Sequence, residues 1–316
     1  MTENVHNDVL VISNTQGGSS TFQRKKAAER LLSTITTKVN GSGGNVELEK
    51  LWTECLSSPL IALVSDQTER CRVIALSILK LLVEHIHNVV QTQLAQLLQS
   101  CEIQLGKEEV EEVRVDIVAL IDIVVTSCSD VIVSQHCERL VAILRLALTD
   151  KNHHQIEQTC NVITHLAQKI PTRMILFTGS LNASLIRHLP DRHQRIRSAS
   201  LLALTEFVSC GAVKVVDNIA EQLYLLAIDH SPSVRITLSK CIARWLTSDV
   251  RLSIREHKPL LNMCLLSLLA SNVPDVIVSA QESLLIISST YFASKMGDTH
   301  NPLPPCATNN NPGTDR

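Results

Sequence analysis

A short turn that recurs about every 40 residues is the feature of this sequence that most constrains its fold. Four copies begin with an acidic residue and end with an arginine six positions later: DQTERCR at 66–72, EEVEEVR at 108–114, DRHQRIR at 191–197 and DHSPSVR at 229–235. Two further segments, KNHHQIE at 151–157 and SNVPDVI at 271–277, fit the register but lack the arginine. The seventh positions are separated by 42, 43, 40, 38 and 42 residues, which predicts one structural unit repeated six times.

The apolar residues between these turns follow the period of an α-helix. Val234, Leu238, Cys241, Ile242 and Trp245 recur at intervals that place them on one helix face, so we expect Trp245 to lie in the core. Helices with a single apolar stripe must pair and stack to bury it. Aromatic residues make up only 3% of a chain that is 45% hydrophobic, which favours helix-on-helix packing over a β-sandwich.

A period near 40 with two helices per unit is typical of HEAT-type and armadillo-type repeats. We therefore predict an all-α fold, a right-handed α-solenoid of about six HEAT/armadillo-type helical pairs plus an N-terminal helix. The pairs are placed at about 47–86, 88–127, 130–169, 172–209, 212–248 and 253–292. The helix at 21–39 is expected either to cap the stack or to be half of a degenerate repeat. The solenoid then covers 21–295, and the polar ends at 1–20 and 296–316 are predicted to be disordered.

The acid and the arginine of each turn have a structural explanation. The acid lies near the N-terminus of the second helix of its pair, where free amides and the helix dipole favour negative charge. The arginine can reach the carboxylate of its own turn or of a neighbouring turn. Stacking then predicts a ladder of acids and bases formed by Asp66, Arg72, Glu108, Arg114, Asp191, Arg197, Asp229 and Arg235. Glu157 and Ile277 occupy two arginine positions, so the third and sixth repeats should couple less regularly.

Motifs for catalysis and cofactor binding are missing from the sequence. It contains no GxxxxGK[ST], GxGxxG, GxSxG or HExxH. The ten cysteines lack CxxC spacing, and the spacings of His85 with His87 and of His153 with His154 do not suit a metal site on one helix face. A net charge of −2 gives no overall bias toward nucleic acid or membranes. We therefore predict a protein that is not an enzyme, with no cofactor, metal or small-molecule substrate.

Eight residues are candidates for binding a protein partner. A concave groove lined by the second helices would present Lys80, Glu84, Thr237, Lys240 and Arg244. The one basic cluster of the chain contains three residues without a ladder role: Arg187, Arg192 and Arg195. Two interpretations of this cluster stay open, contact with an acidic partner or a phosphate, and a plain solvated turn.

Five stretches resemble the family of HEAT-repeat axonemal dynein assembly factors, the HEAT repeat-containing protein two type. They are KIPTR at 169–173, SLNASLIRHL at 180–189, HQRIRSASLLALTEFV at 193–208, GAVKVVDNIAEQL at 211–223 and SPSVRITLSKCIARWL at 231–246. The likeness extends over about residues 24–290. It implies a cytoplasmic, non-catalytic scaffold for preassembly of dynein arms for motile cilia. Its partners would be dynein chains, other assembly factors and chaperones, with no role for nucleic acid or membranes.

Two points accompany this resemblance. Members of the family are longer than this chain, and the pair at 253–292 stays apolar, so its last face is expected to be uncovered.

The alternative function is a generic HEAT-repeat adaptor of another pathway, of the transport-receptor or phosphatase-scaffold type.

Overall fold

The fold is seen in a computed structural model that describes residues 2–14, 20–41, 43–248 and 253–298. Within these ranges the regular structure is helical. The α-helices are α1 (Thr2–Ser13), α2 (Thr21–Val39), α3 (Gly44–Leu51), α4 (Ser57–Leu63), α5 (Glu69–Val90), α6 (Leu94–Lys107), α7 (Glu111–Ser127), α8 (Asp130–Gln135), α9 (Cys137–Ala147), α10 (His153–Lys169), α11 (Pro171–Met174), α12 (Thr178–Arg187), α13 (Gln194–Ser209), α14 (Lys214–Ala227), α15 (Pro232–Thr247), α16 (Lys258–Leu269) and α17 (Pro274–Asp298). A π-helical segment, Trp52–Leu56, joins α3 to α4.

The helices form two layers that run the length of the stack. One layer holds the second helix of each pair, in the order α2, α5, α7, α10, α13, α15 and α17. The other layer holds first helices, in the order α4, α6, α9, α12, α14 and α16. Each helix packs against the next member of its own layer, so the apolar stripes are buried repeat by repeat. The predicted all-α solenoid of stacked helical pairs is confirmed.

The N-terminal segment differs from its prediction. Residues 2–13, expected to be disordered, form α1 and pack against α2. Val5, Val9 and Ile12 lie on one face of α1 and are buried. Burying this stripe offsets the conformational entropy that a polar segment otherwise retains. The helix at 21–39 is therefore the second helix of an additional pair, ahead of the six predicted from the turns.

The last pair, α16 and α17, carries apolar side chains on its surface. Leu261 and Leu265 are buried, whereas Leu266 and Leu285 are 63% and 69% exposed. This fits the expectation of an uncovered last face. The predicted disordered tail at 296–316 lies outside the described residues, apart from its first three positions, which end α17.

A tight glycine turn separates α2 from α3. Gly43 has φ +79°, a left-handed backbone conformation that residues with a Cβ rarely adopt. A Cβ on Gly44 would lie 1.8 Å from the carbonyl oxygen of Lys38. Gly43 and Gly44 therefore let the chain fold back closely onto the end of α2.

The core is continuous along the stack and includes both tryptophans. Trp245 is fully buried, as expected from its stripe, and Trp52 is 1% exposed. The continuous helical stretch 69–107 is long and apolar enough to cross a membrane, but half of its most apolar window is buried. Its first part, α5, packs between α2 and α7, as a core helix does.

The cysteines in the described part of the chain are free thiols, and most are buried. Burial raises the pKa of Cys101, Cys160 and Cys241 to about 12. These thiols are therefore protonated at neutral pH and act as small hydrophobic residues.

Candidate functional site

The turns that precede the second helices share one local geometry. In each, the first side chain accepts a hydrogen bond from the backbone N–H two residues later, where the helix is capped. The acceptor and donor pairs are Asp66 with Thr68, Glu108 with Val110, Asp150 with Asn152, Asp191 with His193, and Asp229 with Ser231, at 2.7–3.0 Å. The residue four positions after this cap, an arginine in four of the turns, is called the ladder position. The turn thus fixes the acid and presents the ladder side chain from the first turn of the helix.

Ladder arginines bind the acid of the next turn along the chain. Arg72 donates to Glu108 at 2.8 Å, and Arg197 donates to Asp229 at 2.6 and 2.7 Å. Arg72 also donates to the backbone carbonyl of Asp66 in its own turn at 2.9 Å. Of the two carboxylates that an arginine could reach, the one in the neighbouring turn is used. Each guanidinium therefore joins two consecutive repeats.

Each contact between a ladder arginine and the acid of the next turn is called a rung here. One further rung precedes those predicted, on its N-terminal side. Arg24 of α2 donates to Asp66 at 3.0 Å, and both side chains are buried. Arg24 also lies four residues after its helix cap, Ser20, which forms a capping box with Gln23. This rung was not predicted, because no acid stands six residues before Arg24. An arginine four residues after a capping serine is the sequence signal that would have predicted it.

The register predicted for the third turn is wrong by one residue. Arg114 binds Asp150 at 2.6 Å, so Asp150, not Lys151, holds the acid position. Ile156, not Glu157, is the residue four positions after the cap Asn152. The third repeat has therefore kept its acid and lost only its arginine. In the sixth repeat Ser271 stands at the acid position, where its hydroxyl accepts from Arg235 at 3.1 Å.

In the described chain no rung joins the third repeat to the fourth, because Ile156 stands at the ladder position of the third repeat and carries no charge. Asp191, which such a rung would have reached, instead accepts from Nδ1 of His193 at 3.1 Å. The His193 ring stacks on His153 of the preceding repeat, with ring centres 4.5 Å apart and planes 15° from parallel. A contact between imidazoles thus stands where the neighbouring junctions have a guanidinium and a carboxylate.

Two of the ladder acids, Glu108 and Asp150, have lowered pKa values. Burial by itself raises the pKa of Glu108, but hydrogen bonds from Gln104, the Val110 amide and Arg72 outweigh it, and the net pKa lies below the ordinary value. Asp150 follows the same pattern, with burial opposed by Arg114 and by turn amides, and its pKa is also lowered. Both groups favour the charged form in the folded state.

Acidification is expected to destabilise the fold through these carboxylates. Because their folded pKa values are lowered, they contribute stability that is fully present above the unfolded values, about 4, and is lost as pH falls through the folded values. We expect Tm, followed by circular dichroism, to be nearly constant from pH 7 to 5 and to fall below pH 4. Glu108→Gln should make this fall less steep. An equally steep fall in the variant would contradict the assignment to Glu108.

A second set of polar contacts crosses between second helices near their middle. Lys80 of α5 donates to Asp116 of α7 at 2.7 Å, and His165 of α10 contacts Asp122 of α7 at 2.7 Å. Glu206 of α13 is 3% exposed and accepts from Gln168 on one side and Arg244 on the other. Lys80 and Arg244, two of the candidate partner-binding residues, therefore have structural contacts within the stack.

The other candidate residues differ in their surroundings. The Thr237 hydroxyl donates to the Ser233 carbonyl of its own helix. Arg187 lies in the last turn of α12, where a cation suits the helix dipole. Glu84 and Lys240 are exposed on α5 and α15. Arg192 and Arg195 line an open pocket between the third and fourth repeats. Within the described residues, no group of three or more His, Cys, Asp or Glu could hold a metal ion.

A two-layer stack of helical pairs, joined by buried charge contacts from repeat to repeat, defines an α-solenoid of the HEAT and armadillo class. The family model for "Dynein axonemal assembly factor 5-like, TPR repeats" matches residues 17–292, and the chain belongs to this family. With position 156 as the third ladder position, the repeat spacing is 38 to 42 residues, which is longer than the roughly 34 of tetratricopeptide repeats and agrees with HEAT-type units.

Two curated relatives are dynein axonemal assembly factor 5 of Mus musculus and of Homo sapiens. The mouse protein is 24% identical over 268 residues, which are 81% of this chain and 31% of that protein. The human protein is 25% identical over 237 residues, 71% of this chain and 27% of that protein. The chain thus spans about a third of the length of the relatives it matches.

Solved structures share the fold. A designed armadillo repeat protein in complex with the peptide (KR)4 has a TM-score of 0.57 at 16% identity, covering 72% of this chain and 98% of that one. The karyopherin Kap121p bound to the extreme C-terminus of the protein phosphatase Cdc14p has a TM-score of 0.64 at 12% identity, covering 95% of this chain and 35% of that one. At these identities the likeness describes architecture alone.

Proposed function

We propose that this chain is a non-catalytic scaffold for the preassembly of axonemal dynein arms in the cytoplasm of cells with motile cilia. It binds dynein chains, the intermediate chains among them, and co-assembly factors and chaperones. The observation that carries the proposal is the family match over nearly the whole solenoid. The stack supports it physically, since successive second helices offer one extended surface to a protein partner.

The surface assigned to partner binding lies at the middle of the second helices. Asn161, Leu202 and Lys240 occupy equivalent positions on α10, α13 and α15, each five residues after its ladder position. All three side chains are exposed, and Leu202 is an apolar residue with 39% exposure. An apolar side chain flanked by an amide and a cation suits a protein interface, in which a small apolar centre has a polar rim. The peptide bound by the designed armadillo protein is a precedent for extended ligands on this fold.

Affinity purification tests this surface directly. The tagged chain is expected to recover dynein chains from extracts of ciliated cells, identified by mass spectrometry. The double variant Leu202→Asp and Lys240→Glu should recover at least about tenfold less, because it places two acids on the surface. Lys214→Glu, on the exposed start of α14 in the other layer, is the matched control and should bind normally.

Two outcomes of the purification would contradict the proposal. Recovery of no dynein chain or assembly factor would remove the dynein role. Recovery of transport cargo or phosphatase subunits instead would support the adaptor alternative. If the Lys214→Glu control lost dynein chains as fully as the double variant, the assigned surface would be wrong and the scaffold role would stand.

A further inference from the structure

The missing rung between the third and fourth repeats coincides with a distinctive pocket. An open cavity of about 570 Å³ lies between the turn that begins α10 and the turn that begins α13. His153, from the first turn, and His193, from the second, stack beside it. The pockets beside Arg72 and Glu108 and beside Arg197 and Asp229 also include residues of the first helices, such as Gln104 and Leu225. The pocket at the junction without a rung is lined by residues of the turns and second helices alone.

The walls of this pocket are rich in cationic and hydrogen-bond-donating side chains. Arg192 and Arg195 have no side-chain hydrogen bond or ion pair within the described residues. His154 and His230 complete the basic lining, and Glu157 is its one acidic residue. The first residues of α10 and α13 border the cavity, so two helix N-termini add positive potential.

A cavity in the layer of first helices offers a contrast. It lies between α6 and α9, has a volume of about 750 Å³, and also contains a histidine and an arginine, His136 and Arg139. There Arg139 is 3.7 Å from Glu102, so its charge is already matched within the protein. In the pocket between the third and fourth repeats, the two arginines remain available to a ligand.

We propose that this pocket binds a phosphoryl group carried on a serine or threonine of a partner peptide. Two unpaired guanidinium groups supply the planar donor pairs that suit phosphate oxygens, and the imidazoles add further donors. Clusters of arginine are the usual means by which proteins recognise phosphorylated segments. The cavity is open and wider than a phosphate needs, which leaves room for the flanking peptide. Of the two interpretations of the basic cluster, anion contact applies to Arg192 and Arg195, and a solvated helix end applies to Arg187.

The site can be tested on the purified chain without dynein, so its outcome is independent of the proposed scaffold role. The probes are a five-residue Gly/Ser peptide with one phosphoserine, the same peptide unphosphorylated, the same peptide with glutamate in place of phosphoserine, and inorganic phosphate. Binding is followed by NMR through the imidazole resonances of His153 and His193. We expect saturable shifts with the phosphopeptide, and affinities for the other three probes that are at least about tenfold weaker.

Variants localise the binding. Arg192→Ala with Arg195→Ala should weaken phosphopeptide binding at least about tenfold, since both charge-assisted contacts are lost. Glu157→Gln should strengthen it, because a like charge is removed from the wall. Arg187→Ala, an exposed arginine outside the pocket, is the matched control and should bind as the wild type does. All these side chains except Glu157 are exposed, so circular dichroism should show unchanged folding.

Five results would overturn the proposal. Equal binding of the unphosphorylated peptide would show that no anion is recognised, and equal binding of the glutamate peptide would make the site one for acidic peptides. Equal affinity for inorganic phosphate would make it a free-anion site. An undiminished affinity in the double arginine variant, or an equal loss in Arg187→Ala, would place binding elsewhere.

Discussion

Replacing Arg197 by alanine is expected to lower the free energy of unfolding by about 3–5 kcal/mol. The Arg197 side chain is 4% exposed and that of Asp229 is 8% exposed, so the substitution leaves a nearly buried carboxylate without its countercharge. Arg197 also donates to the backbone carbonyls of Asp191 and Arg192 at 2.7 and 3.1 Å, and both would lose this donor. One substitution therefore removes contacts in two consecutive turns.

The loss should be measured by urea denaturation and located by amide hydrogen exchange. Since each repeat contacts mainly its neighbours, protection should fall most in α13 and α15 and least in α2 and α5. Adding Asp229→Ala should cost less than the sum of the two single changes, because the stranded charge is then gone. Arg187→Ala, an exposed arginine, should change stability by less than about 0.5 kcal/mol. A loss below about 1 kcal/mol for Arg197→Ala would show that the rung contributes little.

Replacing Trp245 by alanine is expected to cost about 3–5 kcal/mol, through lost apolar burial and the cavity left behind. The Trp245 ring is fully buried in α15, and its Nε1 donates to the Thr205 carbonyl of α13 at 3.4 Å. The side chain therefore fills the space between the fourth and fifth repeats. Circular dichroism during urea denaturation gives the change in stability.

Trp245→Phe is the control for this prediction. Phenylalanine keeps an aromatic ring in the same space, so less than half of the destabilisation should remain. Equal losses in the two variants would mean that the indole N–H, and not the volume of the ring, carries the stability. A loss below about 1 kcal/mol in Trp245→Ala would contradict the assignment of this residue to the core.

Local patterns predicted the second helices well. Each has a 3.6-residue apolar period, and in four of the turns the acid, cap and arginine stand at constant offsets. Predictions from local pattern were wrong at two places, residues 2–13 and the third turn. The polar composition at residues 2–13 hid a three-residue stripe, and Glu157 was placed at the arginine position, a register that the cap at Asn152 contradicts. Both errors arose where burial, and not composition, decides the structure.

At the candidate site, too, local pattern predicted some features and not others. The turn pattern marked Arg187, Arg192 and Arg195 as arginines without a ladder role, and two of them, Arg192 and Arg195, line the pocket. It did not find His153 as their neighbour, because that residue stands about 40 positions earlier and in a turn whose register was misassigned. Nor could it show that Lys80 and Arg244 are held by Asp116 and Glu206 of adjacent helices.

The sequence by itself determined that this chain forms stacked helical pairs, because helix periodicity, capping and turn chemistry act over a few residues. Only the tertiary structure decided which acid each arginine binds, since those partners lie 32 to 42 residues apart and meet only when repeats stack. It also decided that a basic pocket lies at the junction where Ile156 stands in place of an arginine. A pocket is the space between two packed repeats, and its size depends on side chains that both of them contribute.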